Sequence, residues 1–271
     1  MKLSRRLLLG TALLALAGQA AAQLRIEISQ GVEKAVPIAV VPFGWEADGE
    51  PLLDVAQIVS ADLARTGRFA PLPEADMLQK PTAGIDVDFD DWRIMETEVV
   101  VVGSVLSAGA DEYTIQFQVF DVFRGEQLLG YRQPSSARGL RQASHRVADL
   151  IYEELTGIQG VFNTRIAYVS VTGAADARNY RVIVADADGE NARVLVESPQ
   201  PIMSPSWSPD GRKLAYVSFE NRRAEIYVQD LRSGARQLAS SRAGVNGAPA
   251  WSPDGNRLAL TCLLYTSDAA D

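Results

Sequence analysis

Trp207-Ser208-Pro209-Asp210-Gly211 and Trp251-Ser252-Pro253-Asp254-Gly255 are the same five residues, spaced 44 positions apart. Each is followed by a basic residue and an apolar run: Lys213-Leu214-Ala215-Tyr216-Val217 and Arg257-Leu258-Ala259-Leu260. The phrase has a mechanical meaning. Proline presets φ in a tight turn, aspartate bonds the backbone just ahead of it, and glycine takes the left-handed position that closes the turn. Each copy therefore predicts strand, turn, strand. A repeat of this length holding several strands matches a β-propeller blade of about 40–45 residues. In both phrases the residues have structural roles: Trp207 and Trp251 pack between blades, and Asp210 and Asp254 hold the turns.

The repeat extends upstream without its tryptophan. Ile166-Ala167-Tyr168-Val169-Ser170 aligns with Leu214-Ala215-Tyr216-Val217-Ser218. Tyr180–Ala185 and Ala192–Val196 then correspond to Glu225–Asp230 and Ala235–Ala239, with Gly/Asp and Gly/Ser turns between them. The reading is one blade lacking the Trp phrase, one complete blade and a third cut short.

Before the repeats the texture is different. Pro37–Val41 is a short apolar strand, ended by Pro42 and a turn before Trp45. Leu52–Thr66 has apolar residues at helical spacing, with Gly67 where a C-terminal cap belongs. Phe69–Leu72 is short and extended. Glu98–Ser107 is nearly all valine, as in a strand buried on both faces. Tyr113–Val122 alternates, and Gln127–Arg132 pairs with it across Arg124-Gly125. Ser136–Thr156 is an amphipathic helix closed by Gly157. This order predicts a mixed α/β domain with helices laid on a sheet. Gly157–Thr164 reads as the linker to the repeats. The fold class is thus an α/β N-terminal domain followed by an all-β propeller.

Met1–Ala22 reads as a cleaved Sec-type signal peptide: Lys2, Arg5 and Arg6, an apolar core from Leu7 to Ala17, and small residues at 20–22. An uncleaved anchor is the alternative, and the flanks of the twin arginines do not make a Tat signal. The expected domains are 1–22, the signal; 23–160, the α/β domain; 161–261, the partial propeller; and 262–271, a doubtful tail. No basic residue other than those three leaves with the signal and no acid does, so 23 basic residues face 34 acidic ones in the remainder. Such a chain is a poor match for nucleic acid or anionic lipid, and no later stretch suits direct membrane insertion. The single cysteine, Cys262, excludes an internal disulfide.

Few residues invite chemistry. Asp86, Asp88, Asp90 and Asp91 crowd one loop, but without the glycine and distal glutamate of an EF-hand; they read as a solvated loop and helix start. His145 is the only histidine and reads as an exposed surface residue between Ser144 and Arg146. We expect no catalytic residue, cofactor or metal. At the mature N-terminus, Gln23-Leu24-Arg25-Ile26-Glu27-Ile28-Ser29 alternates apolar and polar residues. That is either an edge strand of the first domain or a detachable strand that a partner can take up by strand addition.

The Trp-Ser-Pro-Asp-Gly phrase with its apolar strand resembles the repeat of TolB-type propellers. The phrase also occurs in prolyl-oligopeptidase-like propellers. Pro37-Ile38-Ala39-Val40-Val41-Pro42-Phe43, the valine strand ending in Gly103, Phe117–Phe123 with its Arg124-Gly125 hairpin, and Leu155-Thr156-Gly157 through Thr164-Arg165-Ile166-Ala167-Tyr168 are similar to the TolB family as well. The resemblance runs from about Leu24 to Thr261. It implies a non-enzymatic periplasmic scaffold of the Tol–Pal system, a monomer, supporting outer-membrane integrity and cell division. It also implies two partners: TolA, bound by the segment beginning at Gln23–Ser29, and the lipoprotein Pal, bound at the propeller mouth. On this basis the detachable-strand reading is preferred. The competing class is the propeller of a prolyl-oligopeptidase-like peptidase, which would need a Gly-x-Ser-x-Gly elbow; the sequence has none.

The chain departs from that pattern in length. A family propeller has about six blades, and this sequence accommodates about two and a half. From Cys262 to Asp271 the repeat pattern is lost, and we expect a non-native tail on a shortened frame. Because repeats bury their faces against neighbours, the last stretch is expected to be labile.

Overall fold

The computed structural model describes residues 34–263. The signal-peptide reading of Met1–Ala22, the strand reading of Leu24–Ser29 and residues 264–271 of the expected tail lie outside the described residues.

The first layer is a six-stranded sheet carrying helices on its faces. Its strands are β1 (Val36–Val40), β2 (Gly44–Glu46), β3 (Phe69–Pro71), β4 (Val99–Gly109), β5 (Glu112–Asp121) and β6 (Glu126–Ser136). The order is β3-β1-β4-β5-β6, with β2 also paired to β4. The pairs β1–β3, β1–β4 and β2–β4 are parallel, while β4–β5–β6 is an antiparallel meander. Strand β2 corrects the expected turn before Trp45: Trp45 lies in a strand beside Val105 and packs on Tyr113 at 5.4 Å.

Strand β4 shows why its valines are needed. Val99, Val101 and Val105 join one core, and Val100 and Val102 join another on the opposite face. Helix α1 (Val55–Arg65) and helix α3 (Leu140–Thr156) cover the first face through Val59, Leu63, Leu140, Val147 and Ile151. The short helix α2 (Phe89–Ile94) closes the second with Trp92, fully buried. The one glycine in the valine run is required by packing. A Cβ on Gly103 would stand 2.6 Å from both the Gln116 carbonyl and the Phe43 ring.

Helix ends follow their caps. Asp54 accepts the Gln57 N–H at 2.9 Å, so α1 begins at Val55 and not at Leu52. Asp88 caps α2 in the same way, which gives the aspartate-rich loop a structural use. Gly157 ends α3 in the left-handed region at φ 70°.

Three antiparallel sheets follow. The first is β7 (Arg165–Thr172), β8 (Asn179–Asp186) and β9 (Arg193–Ser198). The second is β10 (Ile202–Trp207), β11 (Lys213–Ser218), β12 (Glu225–Asp230) and β13 (Arg236–Ser240). The third, among the described residues, is β14 (Val245–Trp251) and β15 (Leu258–Leu263). Cys262 and Leu263, expected in the tail, pair with Asn246 and Val245.

The sheets stack face to face. Val182, Val184, Ile202, Leu214 and Tyr216 form the core between the first and second, with Trp207 packed against it. Val217, Ala224 and Ile226 meet Leu258 and Leu260 between the second and third. Among the described residues the first sheet has no counterpart of β10, in keeping with its missing Trp phrase.

Candidate functional site

Both Trp phrases close their hairpins with the same set of bonds. Ser208 N–H donates to the Lys213 carbonyl at 2.9 Å, and Ser252 N–H to Arg257 at 2.9 Å. Gly211 and Gly255 donate back to Ser208 and Ser252 at 2.8 Å, from φ of +66° and +69°. The Ser208 hydroxyl and the Arg212 N–H hold the Asp210 carboxyl below the usual carboxylate range; the Ser252 hydroxyl and Asn256 N–H do the same for Asp254. Each phrase is preceded by a bulge at a non-glycine residue in the left-handed region, Ser204 and Ala248, just before a proline. The tryptophans reach between sheets: Trp251 donates its indole N–H to the Ser206 carbonyl at 3.1 Å, and Trp207 lies under the Arg165 guanidinium at 5.0 Å. Pro209 and Pro253 sit exposed at the turn corners.

One buried polar cluster was not expected. His145 is 1% exposed and Asp62 is 1% exposed, and Nδ1 of the imidazole lies 2.6 Å from the Asp62 carboxylate. On its other side, Nε2 lies 3.4 Å from Asp188, in the β8–β9 turn. Arg65 pairs with Asp62, and Arg141 pairs with Asp188. Burial pushes the Asp188 carboxyl up. The Glu190 N–H, the Arg141 guanidinium and the nearby imidazole outweigh it and hold the group below its ordinary value. This corrects the reading of His145 as a surface residue. The helix face carrying it is closed by α1 on one side and by a turn of the first repeat sheet on the other, and neither is visible from the helix alone.

The linker is also tied down. Asp149 on α3 accepts the Phe162 N–H at 2.7 Å and the Asn163 N–H at 3.3 Å. Phe162 is buried in the α/β core, with its ring 5.7 Å from that of Tyr152. Desolvation raises the Asp149 carboxyl above its usual value despite these two bonds.

At the far end of the sheets, the loops are cross-braced. Asn246, fully buried, donates to the Ala224 carbonyl at 3.0 Å and to Arg242 at 2.7 Å, and accepts from Ser240 at 3.0 Å. Glu225, 1% exposed, accepts from Tyr227, Asn221 and Arg223 at 2.7 Å each. These bonds fix the β11–β12 and β13–β14 loops as one surface. No group of three or more metal-ligating side chains occurs among the described residues. The candidate segment Gln23–Ser29 lies outside the described residues.

Two family models match the chain side by side: "TolB amino-terminal domain" over residues 24–128 and "TolB beta propeller domain" over residues 152–268. A curated relative from Thioalkalivibrio sulfidiphilus, described as "Tol-Pal system protein TolB", is 52% identical over 246 residues, covering 90% of this chain and 56% of the relative. One of the same description from Nitrosococcus oceani is 53% identical over 228 residues, covering 84% and 52%. The crystal structure of TolB from Acinetobacter baumannii superposes with a TM-score of 0.76 at 39% identity, covering 86% of this chain and 56% of that one. The chain spans about half the length of the curated relatives it matches.

Proposed function

Because the chain belongs to the TolB family, we propose that it is a scaffold of the Tol–Pal system in the periplasm, a binding protein and not an enzyme. In this reading the segment Gln23–Ser29 is taken up by TolA, and the loop end of the propeller is the face for the lipoprotein Pal, in support of outer-membrane integrity and cell division. The observation that carries the reading is the joining, in one chain, of both TolB regions in the family's order, with relatives above 50% identity across most of it.

The physics of the site is consistent with binding and not with turnover. The only histidine is enclosed between two carboxylates at the join of the α/β layer and the first repeat sheet. The loops that face outward are braced by buried Asn246 and Glu225, so a partner meets a surface that is already ordered. An alternating strand such as Leu24–Ser29 can pair with its own protein or with another chain, and the two pairings compete. If Pal favours the docked state, TolA must weaken Pal by the same factor, because coupling between sites is reciprocal.

The test is capture by the periplasmic part of TolA. The chain is expected to be retained, and deletion of residues 23–32 to abolish retention while leaving the thermal midpoint unchanged. Equal retention of the two forms would overturn the assignment of the TolA segment.

A further inference from the structure

The end of the sheets that carries the Trp phrases has a cleft of its own. It lies between the first and second sheets, encloses about 520 Å3, and is lined by Arg165, Arg193, Arg212 and Arg232 around Leu231. The four arginines come from four separate pieces of chain: the starts of β7 and β9, the β10–β11 turn and the β12–β13 turn. Among the described residues, no carboxylate oxygen lies within 4.0 Å of the guanidiniums of Arg165, Arg193 or Arg232. Arg212 is 4.0 Å from Asp210, at the limit of an ion pair.

Two of the arginines are held in place without being neutralised. Arg165 donates to the Gly211 carbonyl at 2.6 Å while lying over the Trp207 ring. Arg193 donates to the Leu231 carbonyl at 3.2 Å. A carbonyl anchor costs a guanidinium one of its five donors and none of its charge. The acid on the cleft wall, Asp230, is turned into its own loop, where it accepts from the Ser233 N–H at 2.7 Å, the Ser233 hydroxyl at 2.8 Å and the Arg232 N–H at 3.0 Å. The cleft therefore presents three guanidiniums without a carboxylate partner, two of them anchored on carbonyls, beside the largely buried Leu231, in a protein whose formal net charge is −8.

We propose that this cleft is a docking site for a carboxylate-rich peptide segment of a protein partner. Guanidinium forks match carboxylates in pairs, and charge-assisted bonds of this kind are about twice as strong as neutral ones. A single oxyanion would leave most of the cleft empty, because ligand-sized sites run from about 300 to 1,000 Å3. An extended segment bearing several carboxylates reaches arginines on both sheets. The rest of the acidic surface repels such a segment, so the cleft also sets where it lands. This surface is at the opposite end from the loops braced by Asn246 and Glu225, and it stands or falls independently of TolA and Pal.

The experiment uses the 271-residue chain and a fluorescein-labelled hexaglutamate peptide, read by anisotropy, with hexaglutamine as the neutral control. Hexaglutamate is expected to bind and hexaglutamine not to bind. The double variant Arg193→Gln/Arg232→Gln is expected to weaken binding at least tenfold with an unchanged thermal midpoint. The double Arg→Lys variant, which keeps charge and loses the fork, should fall between. Equal affinity of the wild type and the glutamine variant overturns the proposal. So does binding of both peptides alike, no binding at millimolar peptide, or displacement of the peptide by inorganic pyrophosphate at lower concentration than by unlabelled hexaglutamate, which would make the cleft a small-phosphate site.

Discussion

The hairpin at Trp207–Gly211 and the hairpin at Trp251–Gly255 are spelled the same and close with the same backbone bonds, yet their strands live in different surroundings. From Leu214 to Ser218, β11 is buried without interruption. From Leu258 to Leu263, β15 alternates half-buried and exposed. The difference lies in neighbours. Strand β11 has β10 and β12 beside it and a packed sheet on each face, whereas among the described residues β15 pairs with β14 and packs on one side through Leu258 and Leu260. Five residues are enough to build the turn. Burial of the strand that follows is supplied by the next repeat, as expected for an array held by nearest-neighbour interfaces.

The largest test of this contrast is the same truncation in both copies. Leu214 and Leu258 occupy equivalent places, opposite Trp207 and Trp251. Leu214→Ala is expected to cost about 2–5 kcal/mol in urea unfolding, the range for a fully buried leucine. Leu258→Ala is expected to cost about 1 kcal/mol or less, close to a surface substitution. Equal losses would mean that the two strands are equally supported.

A smaller effect tests the other half of the contrast, that the turns are self-contained. Gly211→Ala and Gly255→Ala each force a side chain into the left-handed region, at about 1–2 kcal/mol. A Cβ on Gly211 would also meet the Arg165 guanidinium 3.3 Å away, at the end of a flexible side chain that can yield. The two thermal midpoints should therefore drop by nearly the same amount. A much larger drop for Gly211 would show that the Arg165 bond to its carbonyl supports the turn from the first sheet.

The smallest effect is in titration. The carboxyls of Asp210 and Asp254 are both held below their ordinary 3.8 by the hydroxyl and N–H donors of their own turns. A depressed folded value stabilises the fold above the unfolded value, and that contribution is lost as pH falls through the folded one. Carbon-detected NMR should show both groups titrating below 3.8. A value at or above 3.8 for either group would show that its turn does not hold the carboxylate in solution.

What could be read from the chain follows the same division. The turns, the valine strand and the helix ends at Thr66 and Gly157 depend on residues within a few positions of one another and lie where the local chemistry puts them, but the helix read from Ser136 begins at Leu140, because β6 runs on to Ser136. His145 was misplaced because its burial is made by Asp62, 83 positions earlier, and by Asp188, on a turn of another sheet. Strand β2 was missed because Gly44–Glu46 has no alternation to detect and is held by its parallel partner β4. Within the linker Phe162 carried a signal: an aromatic residue between Gly160 and Thr164 has to be buried somewhere, and Asp149 marks where. The arginine cleft has no local pattern, because its members are scattered from position 165 to 232. The segment Gln23–Ser29 was legible only as an alternating strand, and its role rests on family resemblance.

The solitary imidazole has a practical consequence. A protein with a single histidine gives one pair of imidazole proton resonances, and here that ring touches α1 on one side and the first repeat sheet on the other. Its chemical shift is therefore an intrinsic gauge of whether the two halves of the molecule remain in register, readable in the unmodified protein without a label.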